Sequence, residues 1–262
     1  MVNFAVMHAF LDHEGPIAFA HRGGADGEVA GLENSLAAFA RAVELGYRYL
    51  ETDVHATADG VLLAFHDRTL DRVTDLVGRV AKLPWTTVRG ARIGGREPIL
   101  RLEDLLGTWP DIRVNVDVKD ATAVRPLVEA VRRTQSLDRV CVASFSERRL
   151  AAVRRELGPR LCTSLGPRGV ALLRAAATHR WASVLARPGA PCAQVPDRVG
   201  LLRVVTPALV RLAHSRGQRV HVWTVDEAAD MHRLLDLGVD GIMTDRLETL
   251  RDVFRSRGLR LA

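Results

Sequence analysis

His21-Arg22-Gly23-Gly24 follows the apolar run Ile17-Ala18-Phe19-Ala20. Glu51-Thr52-Asp53 sits inside a second β-rich run from Tyr49 to His55, and Phe65-His66-Asp67 ends a third, Val61-Leu62-Leu63-Ala64. A strand alternates its faces with a period of two, so Glu51 and Asp53 project to one side. Flanked by Leu50 and Val54, the pair belongs to a buried strand, and buried carboxylates need a cation between them. A divalent metal meets that need, and all-oxygen donors favour Mg²⁺ or Ca²⁺ over zinc. Two histidines from neighbouring segments, His21 and His66, can then work as acid and base beside the ion, because imidazole exchanges protons near neutral pH. Asp117 and Lys119 repeat the two-residue spacing at the end of Val114–Val118. Arg22 and Lys119 are the phosphate candidates, one a planar fork and the other a compact charge. Lys119 is one of only two lysines in a chain that uses arginine almost everywhere, which suggests a need for ammonium geometry.

These residues need a frame that brings several strand ends together. Apolar runs at 17–21, 49–54, 114–118, 140–144, 161–165, 183–186, 220–224 and 241–244 read as strands, and 62–65 as a short side arm. Amphipathic helical patterns fill the gaps: 34–45, 121–134, 147–157, 169–178, 207–216, 227–237 and 247–257. Strand–helix repetition with continuously apolar strands implies a parallel sheet, and eight such strands imply a closed (β/α)8 TIM barrel. The least regular strand is Ser183–Ala186, broken at once by Arg187-Pro188-Gly189-Ala190-Pro191; Val199–Val204 is the competing choice. Asp71–Pro98 fits neither period and reads as a short insertion after the second barrel strand, a loop or lid within one domain spanning 1–262. In such a barrel, function collects at the C-terminal strand ends, where His21, Arg22, Glu51, Asp53, Asp117, Lys119 and Trp223 all fall.

The ordered set His-Arg-Gly, Glu33-Asn34-Ser35, Glu-Thr-Asp with a following Asp-Gly, and His-Asp closely resembles the glycerophosphodiester phosphodiesterase family. The resemblance continues through Asp117-Val118-Lys119, His221-Val222-Trp223-Thr224-Val225-Asp226 and Gly241-Ile242-Met243-Thr244-Asp245, so it runs from about Ala18 to Asp245. It implies a metal-dependent phosphoric diester hydrolase that cleaves glycerophosphodiesters to glycerol 3-phosphate and an alcohol. It also implies His21 as base, His66 as acid, and Glu51, Asp53 and Asp117 as ligands to one divalent cation. Asp117 departs from the family pattern, which more often has Glu there, and its reach is shorter by about one methylene. Ser35 replaces the usual Thr and Leu32 the usual Pro. Glu33 is a support for the His21-Arg22 turn, while Asn34 or Ser35 can also cap the helix that follows. Trp223 is either an apolar wall for the glycerol moiety or core packing. Asp67 either orients His66 or caps its loop. His221 shares strand parity with Trp223, and His55 is placed to back the site.

Composition narrows the classes further. The chain has 262 residues, 47% of them apolar, and a net charge of +6. With 5% aromatics and arginines spread over helix surfaces, it offers few stacking platforms for bases, so a nucleic-acid partner is not expected. Positive charge suits steering of a small anionic diester. Cys141, Cys162 and Cys192 are scattered without metal-ligand spacing and read as reduced, which with no basic, uninterrupted leader at Met1–Phe10 favours the cytoplasm. No run reaches membrane-span length, so no stable membrane anchor is expected. Neither Gly23-Gly24 nor Ser144-Phe145-Ser146 makes a dinucleotide fingerprint or a nucleophile elbow. Two alternatives stay open: lysophospholipase D-like cleavage of a lysophospholipid headgroup, and a non-catalytic phosphodiester- or metal-binding barrel. An apolar groove by Asp71–Pro98 would favour the lipid substrate, and a narrow polar mouth the small diester.

Overall fold

A computed structural model describes residues 8–178 and 189–261. Its strands are β1 (Ile17–His21), β2 (Tyr49–Ala56), β3 (Leu62–Ala64), β4 (Arg92–Ile93), β5 (Glu97–Pro98), β6 (Arg113–Val118), β7 (Val140–Ala143), β8 (Cys162–Thr163), β9 (Cys192–Pro196), β10 (Arg198–Val199), β11 (Leu202–Arg203), β12 (Arg219–Trp223) and β13 (Gly241–Thr244). The helices are α1 (Leu36–Glu44), α2 (Trp85–Val88), α3 (Leu102–Thr108), α4 (Val124–Arg133), α5 (Glu147–Leu157), α6 (Pro167–Thr178), α7 (Pro207–Ser215), α8 (Ala228–Asp236) and α9 (Leu247–Ser256).

Eight parallel strands pair in the order β8-β7-β6-β2-β1-β13-β12-β9. A single parallel bridge, Ser164 to Cys192, joins β8 to β9 and nearly closes the ring. The architecture is the expected (β/α)8 barrel, and β3 is the expected side arm, antiparallel to the end of β2. The sixth barrel strand is Cys192–Pro196. Ser183–Ala186, which the sequence pattern favoured, lies outside the described residues. Residues Val199–Val204, the other choice, instead carry the small antiparallel hairpin β10–β11 beyond the strand. Proline at its last position and Gln194 in its middle disguise β9, because proline is confined to strand ends and edges and glutamine interrupts the apolar run.

Helices pack around the ring through one large apolar cluster, and a second set of side chains fills the barrel interior. Ser35, Ser146 and Thr206 cap α1, α5 and α7 by accepting from the backbone N–H three residues on. Phe10, on a 3₁₀ turn at Ala9–Leu11, is buried against the edge of Tyr49, with ring centroids 5.4 Å apart. The Tyr49 hydroxyl donates to the Phe10 carbonyl at 3.0 Å. That plug contributes about 1.5–3 kcal/mol per buried aromatic and closes the N-terminal end, leaving the C-terminal end as the open mouth. The insertion 71–98 folds as a turn, α2 and the β4–β5 hairpin over a small core of Leu70, Val80, Val88 and Ile93. No helix among the described residues is long and apolar enough to cross a membrane.

Candidate active site

At the open end one cavity of about 610 Å³ is lined by His21, Arg22, Glu51, Asp53, His66, Asp117, Lys119 and Trp223. Strand register explains the convergence. Glu51 pairs with His21 on one side and with Asn115 on the other, and Asp53 pairs with Asp117, so their side chains share the inward face at adjacent heights. Lys119 Nζ lies 2.7 Å from Asp53 Oδ1 and 2.7 Å from Asp117 Oδ2. Arg22 Nε lies 3.0 Å from Asp53 Oδ2. The carboxylates are buried; Asp53 Oδ2 is ion-paired with Arg22, and Asp117 Oδ1 has no hydrogen-bond partner.

The charges follow from burial and these neighbours. Burial, then the charge of Asp53, pushes Glu51 up to about 7. Burial acts to raise Asp53 too, but Lys119 and Arg22 outweigh it and hold its carboxyl low. Burial dominates at Asp117 and raises it despite Lys119. At Lys119 burial is outweighed by Asp53 and Asp117, and its ammonium is held charged. Three buried carboxylates line this one cavity, with Asp117 Oδ1 unpartnered and Glu51 pushed up to about 7, and all their donor atoms are hard oxygens. This fits a hard divalent cation.

Both histidines are oriented by an aspartate. His21 Nδ1 lies 2.7 Å from Asp245 Oδ1, and His66 Nδ1 lies 2.6 Å from Asp67 Oδ1. A carboxylate only accepts, so each Nδ1 carries the proton and each Nε2 is left to exchange one. His21 Nε2 lies 3.8 Å from Glu51 Oε2. Burial would lower the His21 pKa, but Glu51 and then Asp245 outweigh it and raise it. Asp67 thus holds His66, one of the two roles left open for it. His55 Nε2 lies 3.1 Å from the His66 carbonyl and steadies the same loop.

A further network, unforeseen in the sequence, ties the two halves together. Arg72, from the insertion, contacts both oxygens of Asp67 (2.5 and 3.1 Å) and both of Glu33 (2.8 and 2.7 Å). Glu33 Oε1 in turn accepts from Arg22 at 3.1 Å. Glu33 is thus paired with both Arg22 and Arg72. Asn34 does not cap α1; Ser35 does, while Asn34 Oδ1 accepts from Thr52 at 2.7 Å and its backbone N–H donates to the Arg22 carbonyl. Asp245 and Arg72 carried the only available signals: one directly follows a barrel strand, and the other lies near His66 in a segment without period.

Backbone geometry is unusual at this corner. Arg22 has φ 52°, a sparsely populated region for a residue with a Cβ, and its N–H donates to the Glu51 carbonyl at 3.0 Å. Gly23 follows at φ +84°, and a Cβ there would sit 2.9 Å from the backbone of Ala38 and Phe39. Gly23→Ala is expected to cost about 2–4 kcal/mol, from overpacking plus a left-handed backbone. A thermal melt lowered by several degrees checks this; an unchanged melt would mean that α1 yields freely.

The cavity extends beyond the polar set. Its outer part is lined by Leu165, Pro167, Val170, Val199, Leu202 and Trp223, on α6, the β10–β11 hairpin and strand ends; none of residues 71–98 lines it. Trp223 meets exposed Phe145 edge-on at 5.8 Å and lines the cavity, while its ring also packs against the barrel-interior cluster. Leu201, at the hairpin tip, is 99% exposed. His221 is fully buried deeper in the barrel, where Gln194 lies 3.5 Å from its Nδ1.

Against known proteins, the model of the Glycerophosphoryl diester phosphodiesterase family matches residues 21–249. A Mycobacterium tuberculosis protein named "Probable glycerophosphodiester phosphodiesterase 2" is 46% identical over 253 residues, covering 95% of this chain and 94% of that one. The glycerophosphodiester phosphodiesterase of Caldanaerobacter subterraneus subsp. tengcongensis is 31% identical over 257 residues, covering 92% and 99%. An Oleispira antarctica phosphodiesterase, solved in complex with the product sn-glycerol-3-phosphate, superposes with a TM-score of 0.76 at 20% identity, covering 92% and 97%. That last likeness speaks for the fold alone.

Proposed function

The chain belongs to the glycerophosphoryl diester phosphodiesterase family and hydrolyses glycerophosphodiesters, and we propose that it does so with His21 as general base, His66 as general acid and one divalent cation, Mg²⁺ or Ca²⁺, held by Glu51, Asp53 and Asp117. The observation that supports this reading is the meeting of three buried carboxylates and two aspartate-oriented imidazoles on one cavity. When bound, the cation supplies polarisation of a non-bridging phosphate oxygen and of a nearby hydroxyl. His21 Nε2 takes the proton of the attacking oxygen, from water or from the glycerol hydroxyl. His66 Nε2 gives a proton to the departing alcohol. Arg22 and Lys119 face the phosphate oxygens as fixed positive charge, already oriented before the reaction. Trp223 walls the glycerol side.

Release of glycerol 3-phosphate from glycerophosphocholine and glycerophosphoethanolamine tests the reading. Activity is expected to vanish with chelator and return with Mg²⁺ or Ca²⁺. Full turnover in chelator would remove the cation from the scheme.

The apolar outer cavity favours a second reading of the same site: the glycerol carries an acyl chain, and the substrate is a lysophospholipid. A free glycerophosphodiester has nothing to place against Leu165, Val170, Val199 and Leu202. Leu202→Asp is expected to lower kcat/KM for lysophosphatidylcholine selectively, by about tenfold or more, since burying one leucine contributes roughly 1.5–3 kcal/mol. Equal loss on glycerophosphocholine would reject the acyl chain.

A further inference from the structure

A second donor set lies inside the barrel, apart from the residues that line the cavity. Cys141, Cys162 and Cys192 are the only cysteines of the chain, and each stands on a different strand. They are buried, unbridged, and their sulfur atoms lie within 4.8 Å of one another, with Cys141 and Cys192 at 4.0 Å. Scattered in the sequence without ligand spacing, the three are brought together by parallel register. Cys141 pairs with Cys162, and Ser164 bridges to Cys192. His221, on β12 beside β9, is wholly buried with its ring near Cys192, though outside the group of sulfurs that lie within 4.8 Å of one another. Its Nε2 has no hydrogen-bond partner.

We propose that these four side chains bind one thiophilic metal ion, zinc foremost, through three thiolates and the His221 imidazole. Three cysteines and a histidine are a complete tetrahedral set for structural zinc. Zn–S bonds of about 2.3 Å place sulfurs roughly 3.8 Å apart around the ion, so the thiols need to close by less than about 1 Å. Binding forms three Zn–S bonds and one Zn–N bond, and the three thiol protons pass to solvent. The resulting net negative charge has a compensating neighbour. The Arg154 guanidinium acts on Cys192 and Cys141 and is held by Thr163 Oγ1 and the Ser164 carbonyl, both at 2.9 Å. Soft sulfur donors here and hard oxygen donors at Glu51, Asp53 and Asp117 sort different ions to the two sites.

The position gives the ion a purpose. The β8–β9 seam is joined by one bridge, the weakest joint of the ring. Cys162 stands on β8 and Cys192 on β9, so an ion held by both staples the seam, and Cys141 and His221 anchor it to the next strand on either side.

The test is refolding of the full chain from denaturant and chelator, with Co²⁺, with Zn²⁺ or without metal. The expected result is one Co²⁺ per chain with an intense sulfur-to-cobalt charge-transfer absorption, unmoved by excess Mg²⁺. Zn²⁺ should abolish that absorption and raise the midpoint of thermal unfolding above that of the metal-free protein. Cys192→Ala or, should it not refold, Cys141→Ala should lose the absorption. Carboxylate ligands cannot give this signature. Refolded wild-type protein without it, all three thiols still free in the presence of cobalt, would overturn the proposal on its own.

Discussion

Replacing His21 by alanine is expected to lower turnover of a glycerophosphodiester by about 10²–10⁴-fold, the range for losing a general acid or base. The fold should survive, because the ring hydrogen-bonds at the cavity through one contact, to Asp245. Glu51, already pushed up to about 7, can take a proton when the imidazole beside it is gone. His66→Ala should cost a similar factor on a substrate with an alkoxide leaving group. The two variants part company when the leaving group needs no proton. On an aryl ester of glycerol phosphate, such as a nitrophenyl diester, His66→Ala should recover most of its rate, and His21→Ala should not. The reverse pattern would exchange the roles. Equal loss on both substrates would make the histidines supports for bound phosphate instead of proton carriers. Asp245→Asn supplies the companion measurement: an amide can donate to Nδ1 and favour the wrong tautomer, so kcat should fall with KM little changed.

The strand-borne charges of the site were legible in the sequence because their placement depends on local periodicity. Glu51 and Asp53 share a face by strand parity, and Asp117 with Lys119 repeats the device, so placing the strands placed the side chains. What escaped depends on pairing between distant segments. Asp245 reaches His21 only because β13 closes beside β1, and Arg72 reaches Glu33 only because the insertion folds back over the β1 corner. Cys141, Cys162 and Cys192 meet by the register of three strands, which no spacing rule in one dimension reveals. The apolar cavity escaped for the same reason. It was sought beside 71–98, where an aperiodic insertion drew attention, and it lies between α6 and the β10–β11 hairpin. Strand β9 was hard to read from the sequence because Gln194, which turns into the barrel toward Asn115 at 2.8 Å, breaks the apolar run by which buried parallel strands are recognised.

Asp53→Asn is expected to be the most damaging single change, in stability as well as in activity. Asp53 stands between two cations: Lys119 Nζ at 2.7 Å from one oxygen and Arg22 Nε at 3.0 Å from the other. Its side chain is 3% exposed, and those of Lys119 and Arg22 are 20% and 19% exposed, so solvent screens the pairs weakly. Removing one partner of such a buried arrangement leaves uncompensated charge and costs about 3–5 kcal/mol. Against a total stability of about 5–15 kcal/mol, that is a large share, and the melting temperature should fall by roughly 10 °C. Asp117 cannot take over the charge, since burial raises its pKa and it has Lys119 alone as a cationic partner at contact distance. Activity should fall by at least the 10–100-fold seen for losing an outer partner of a metal ligand, because the proposed ligand role and two charge positions go together. A Lys119→Met change in the same chain separates the effects. It removes one of the stranded cations, so the double variant should melt higher than Asp53→Asn alone and remain inactive. Thermal melts of the four proteins in the cycle measure the coupling directly. Coupling below about 0.5 kcal/mol would mean that solvent screens the pair after all, and near-normal turnover of Asp53→Asn in Mg²⁺ would take Asp53 out of the ligand set.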